Sequence, residues 1–126
     1  MPDLVACRSK TVYLQTYGHT RQADDEAVRQ ALQIIGASVP VSEDMVVRAQ
    51  LRKRVPPTPV RSDMLRWHGD DDKDCAKALV GWMNARSSLP PNSLQADRRA
   101  EPVASRLRAT PGVVELWLAP PPQTSR

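Results

Sequence analysis

The spacing of apolar positions changes several times along this chain, and each change marks an element. In TVYLQTY, Thr11 to Tyr17, β-branched and aromatic residues alternate, with Val12, Leu14 and Thr16 on one face and Tyr13, Gln15 and Tyr17 on the other. Both faces carry apolar groups, which predicts a central strand ended by Gly18. The spacing then lengthens: Ala27, Val28, Ala31, Leu32 and Ile35 recur at three- and four-residue steps behind Asp24, Asp25 and Glu26. This predicts a helix with Thr20 as N-cap, acidic residues at its positive end and Gly36 as C-cap.

The clearest switch lies in DMLRWHGDDDKDCAKALVGWMN, Asp63 to Asn84. Met64, Leu65 and Trp67, set among charged Asp63 and Arg66, fit a half-buried strand. Gly69 frees the turn, and Asp70, Asp71 and Asp72 crowd a helix start, where they cap and meet the helix dipole. Cys75, Ala76, Leu79, Val80, Trp82 and Met83 then form a stripe that has to be buried. Between the two helices, Ala37 to Val47 predicts a short edge strand. Arg48 to Pro59 combines a basic run with three prolines and predicts an exposed loop.

Residues 85–112 predict a long, irregular Pro/Arg-rich connection with one short helix near Asp97 to Arg108. After Pro111 and Gly112, VVELWL places Val114, Leu116 and Leu118 on one face and Val113, Glu115 and Trp117 on the other, as a closing strand. Residues 1–10 read as a loose lead-in, 11–118 as a single domain and 119–126 as a Pro-rich tail. The order strand, helix, strand, strand, helix, strand predicts an α+β fold: a ferredoxin-like βαββαβ sandwich, its antiparallel sheet carrying both helices on one face.

The elements YLQTYG with the helix ending at Ile35 and Gly36, then LRWHGDDDKDCAKAL, then PGVVELWL, resemble small βαββαβ accessory domains at the ends of multidomain bacterial proteins. In layout they are similar to LytR C-terminal and SPOR domains. The resemblance covers Thr11 to Leu118. It implies a non-catalytic domain that binds other molecules or attaches to enzymatic and cell-envelope proteins.

Composition adds few constraints. The 126 residues contain no Phe, so the core has to be aliphatic, and the 12 prolines, about double the usual ~5%, cluster outside the predicted elements. Eighteen basic against 14 acidic residues leave a charge of +4, an ordinary mixture that decides no partner. Cys7 and Cys75 lack metal-ligand spacing and read as reduced thiols. No apolar leader opens the chain and no run approaches the ~18 apolar residues that would cross a bilayer. The expectation is a cytoplasmic protein without membrane contact.

The chemistry-bearing residues each have a plainer explanation. Asp70, Asp71, Asp72 and Asp74 lack the alternating ligands of a calcium loop, and helix capping accounts for them. His19, His68 and Cys75 have no metal-site spacing, and the helical stripe places Cys75 inside. The five glycines are scattered and form no phosphate loop. No catalytic residue, metal or cofactor is therefore expected. RNA recognition on an open ferredoxin-like sheet would use Tyr13, but RSDMLRWH lacks the glycine and aromatic spacing of that motif.

What remains is an interaction face made of Tyr13, Tyr17, Leu65, Trp67 and Trp117, which would be an exposed apolar patch unless covered. The sequence thus predicts a non-enzymatic interaction or regulatory module with a protein partner or self-association. Nucleic-acid binding through Arg48, Arg52, Lys53, Arg54, Arg98 and Arg99 is the second reading, and a small enzyme of unknown reaction the third.

Overall fold

The computed structural model describes residues 3–18, 20–56, 58–86, 97–105, 107 and 109–121. Strand β1, Thr11–Thr16, leads through α1, Gln22–Ile34, to a two-residue strand β2, Glu43–Asp44. Helix α2, Met45–Leu51, follows at once. Strand β3, Met64–Trp67, leads through a 3-10 turn and α3, Lys73–Arg86, to β4, Arg99–Pro102, before β5, Val113–Trp117. The chain is α+β, with a five-stranded sheet in the order β2-β1-β5-β3-β4.

This order corrects the ferredoxin-like expectation. β1 pairs in parallel with both β2 and β5, β3 pairs in parallel with β4, and only the β3–β5 contact is antiparallel. Two strand-helix-strand units, β1-α1-β2 and β3-α3-β4, are joined by β5 between them. Parallel neighbours need a crossover longer than a hairpin turn, and each helix provides one. The strand that breaks the expected layout is β4, which occupies part of the predicted irregular connection and replaces the short helix expected near Asp97.

Register explains the core. Val12 lies beside Val114, and Leu14 beside Leu116, which also faces Leu65. These side chains share one face with Leu118, and against them pack Val28 and Leu32 of α1 and Cys75, Ala76, Leu79 and Met83 of α3. Val28 and Leu32 lie one turn apart, as the stripe required. Gly36 ends α1 with φ of 93°: its N–H reaches Gln33 and the Ala37 N–H reaches Leu32, the two bonds of a left-handed cap.

The lead-in is anchored rather than loose, because Leu4 and Cys7 are buried and Cys7 is joined to Cys75 by a disulfide across 68 residues. The expected reduced pair is thereby corrected. Closing a loop of that length removes enough chain entropy to stabilise the fold by about 4 kcal/mol.

The acidic turn is a cap and also a clamp. Asp72, fully buried, accepts from the Gly69 and Gly112 N–H groups at 2.8 Å each and pairs with Lys10 at 2.7 Å. It ties the start of α3 to Lys10 and Gly112, the residues that lead into β1 and β5. Burial alone would raise its pKa, but the Lys10 ammonium and the two amides outweigh burial and hold it below the ordinary carboxylate value. No helix among the described residues is long and apolar enough to cross a membrane.

Candidate functional site

With α1 and α3 on one side of the sheet, the residues of opposite parity form the outer face. Tyr13 and Arg66 both lie beside Glu115 in register, and Gln15 and Met64 lie beside Trp117. Leu65 and Trp67 have the other parity. The structure therefore removes them from the predicted interaction face: Leu65 is fully buried beneath the helices, and Trp67 packs against the same core with Lys73 over its ring at 5.7 Å. Successive side chains of a strand point to opposite faces, so a face assignment that is off by one residue exchanges the two sets.

Of the aromatic residues predicted for the interaction face, Tyr13 is exposed and Trp117 half-buried, whereas Tyr17, just past the end of β1, is buried at 7% and leaves the contact surface; polar residues hold Trp117 in place. Glu115 accepts from the Trp117 indole N–H at 2.8 Å and contacts His68 Nε2 at 2.6 Å. The Thr110 N–H donates to His68 Nδ1 at 3.0 Å, which places the ring proton on Nε2, toward Glu115. The Arg66 guanidinium sits 5.5 Å above the Trp117 ring and donates to Glu101 at 3.2 Å. Tyr17 lies 6.4 Å from Trp117, ring to ring, and burial raises its hydroxyl pKa, a shift opposed by its hydrogen bond with the Val60 backbone. Tyr13 is the exposed ring, at 41% of its full accessibility.

His68 thus lies within hydrogen-bonding reach of a carboxylate, the geometry that would favour an enzyme. Both of its ring nitrogens are engaged, however, so it offers no lone pair to a substrate proton. Cys75 is in the disulfide, and His19 lies outside the described residues. Among the described residues no group of three or more His, Cys, Asp or Glu is placed to hold a metal ion.

The predicted basic contacts are divided by the structure. Arg98 is buried and pairs with Asp63 at 3.0 Å, so it is removed from the set that could touch phosphates. Arg48 pairs with Glu43 at 2.8 Å, and Arg99 with Asp97 at 3.2 Å. Arg52, Lys53 and Arg54 remain exposed on the segment after α2. Arg106 and Arg108 lie outside the described residues.

Asp63 anchors a buried ion cluster that sequence reading missed. Arg21 grips both Asp63 oxygens at 2.8 and 2.9 Å, donates to Asp24 at 2.8 Å and reaches the Ala119 carbonyl at 2.9 Å. Burial opposes the Arg21 charge, yet the hydrogen bonds it donates to Asp63 and Asp24, with their negative charges, outweigh burial and raise its pKa. For Arg98 burial prevails, with the like charge of Arg21 adding to it, and its pKa is lowered. The signal available in the sequence was Asp63 in phase with Leu65 and Trp67, which assigns the carboxylate to the covered face.

The edge strands of the sheet are short, and one carries a proline in the outward phase. Arg99 and Val103 donate inward, to Asp63 and Trp67 at 3.3 and 3.0 Å, so the alternate residue Pro102 faces outward at a position where it has no N–H to offer. At the other edge, β2 is two residues long and runs directly into α2. Short strands and proline are standard protections of an edge. No family model matches this chain, and no curated protein or solved structure does either.

Proposed function

We propose that the chain is a non-enzymatic interaction module whose outer sheet face is the contact surface, and that the occupant is a second copy of the chain. The observation that carries this reading is the half-exposed Tyr13 ring beside a fixed Trp117–Glu115–His68–Arg66 cluster. Tyr, Trp and Arg are the residue types that dominate the energetics of protein interfaces, and side chains already held in place lose little entropy on binding. Arg66 beside Glu101 and Glu115 gives the patch both signs of charge, which suits a contact of the surface with itself about a two-fold axis. Short edge strands make edge-to-edge pairing a poor alternative. The disulfide supports a location in an oxidising compartment in place of the cytoplasmic expectation. Sedimentation of the native chain against Tyr13→Ala tests the reading: loss of assembly supports it and unchanged assembly removes it.

A further inference from the structure

A second surface, independent of the outer-face cluster, surrounds α2. We infer that it is a docking groove for an acidic amphipathic peptide segment of a partner protein. In α2 the buried residue is Ala49, which takes no part in the main core, while Val47 and Leu51, one turn apart, are exposed at 45% and 81%. Val55 follows at 91%. Apolar side chains left in water beside a helix that buries little else need a reason.

The surface is concave. A recess of about 440 Å³ lies along the Val47 and Leu51 side of α2 and another of about 200 Å³ along the Ala49 and Val55 side, with Arg48 and Arg52 bordering both. The larger falls within the roughly 300–1,000 Å³ range of clefts that enclose ligands. Its acidic rim is already compensated: Glu43 pairs with Arg48, and Asp44 caps α2 by accepting from Val46 at 2.9 Å and also receives the Gly18 N–H at 3.1 Å. Arg52, Lys53 and Arg54, which form no ion pair among the described residues, therefore set the local sign as positive.

The way α2 ends points the same way. Lys53 holds φ of 53°, its N–H reaching Gln50 at 3.1 Å while the Arg54 N–H reaches Ala49 at 2.8 Å. This is the left-handed cap that glycine usually fills, and a residue with a Cβ pays about 1 kcal/mol there. A lysine at this strained position, within a row of three cations, is a local cost of the kind that accumulates at binding sites. Phosphate backbones would satisfy the cations and leave the aliphatic recesses wet. A segment with carboxylates flanking Leu or Ile side chains fills both.

The probe is a fluorescein-labelled 16-residue helical peptide with leucines at i, i+4 spacing flanked by glutamates, followed by anisotropy. Arg52→Glu and Leu51→Ser each lie on exposed positions, and matching unfolding midpoints establish that they fold. The expected result is saturable binding to the native chain, weakened about tenfold by each variant, with little binding when the peptide's glutamates are replaced by glutamines. Failure to bind below about 1 mM, equal binding by Leu51→Ser, or binding of anionic vesicles or single-stranded RNA in preference to the peptide overturns the inference.

Discussion

Arg21 and Asp63, 42 residues apart, meet through two parallel hydrogen bonds of 2.8 and 2.9 Å in the buried interior. Asp24 and Arg98 complete a set of two positive and two negative charges that joins the start of α1, β3 and β4 to the end of β5. Removing the Asp63 charge takes from both Arg21 and Arg98 the carboxylate they share. Asp63→Asn is expected to destabilise the fold by about 3–5 kcal/mol, measured by denaturant unfolding. Arg98→Met should cost less than Asp63→Asn, because the Arg21–Asp63 pair survives it.

Acid should unlock the second buried carboxylate. Asp72 has a folded pKa below its unfolded value, near about 3.9, so its stabilisation is complete above that value and disappears as pH falls through the folded one. The stability difference between the native chain and Asp72→Asn is expected to be constant above about pH 5 and to shrink below about pH 4. Chemical denaturation at a series of pH values measures it. A difference that grows toward low pH contradicts the assignment.

Gly69 is required by the same clamp. A Cβ there would approach Asp72 Oδ2 to 2.9 Å and the Pro111 backbone to 3.3 Å, and the carboxylate cannot swing away without releasing Gly112. Gly69→Ala should lower stability by about 1–3 kcal/mol and flatten the acid response, both visible in the same titration.

How much of this was legible in the residues depended on how local the signal was. The alternation of Val12 and Leu14, the Val28 and Leu32 stripe, the Gly36 cap and the acidic start of α3 are short-range patterns, and the structure keeps them. The first turn of α2 was read as strand because Val46 and Val47 favour extended backbone, and the rest of it as exposed loop, whereas the Asp44 carboxylate accepts the Val46 and Val47 N–H groups and starts a helix. β4 was invisible because RAEP has no apolar alternation; its pairing with β3 is held by Asp63 and Trp67 carbonyls distant in sequence. Parity alone puts Tyr13 and Trp117 on the side opposite the helices, while the burial of Tyr17 beyond the end of β1 and the placement of Leu65 and Trp67 depend on contacts distant in sequence. Cys7 was read as part of a loose lead-in, and no spacing rule joins it to Cys75.

Reduction should expose the contribution of that disulfide. Cys7 and Cys75 are both fully buried, so a mild reductant is expected to act slowly on the folded chain and quickly on the unfolded one. Cys7→Ser with Cys75→Ser should lower stability by about 4 kcal/mol. Thiol titration of native protein under denaturing, non-reducing conditions should find these two cysteines oxidised.

The central claim is that the outer sheet face, centred on Tyr13, joins two copies of the chain. Sedimentation equilibrium of the native chain and Tyr13→Ala tests it most directly, since Tyr13 is exposed and its removal leaves the helix-side core intact. A dimer for the native chain, with association weakened at least about tenfold toward monomer in the variant, corresponding to about 1.4 kcal/mol, is the predicted result. A native chain that is monomeric at every concentration, or a variant that assembles equally well, would contradict it.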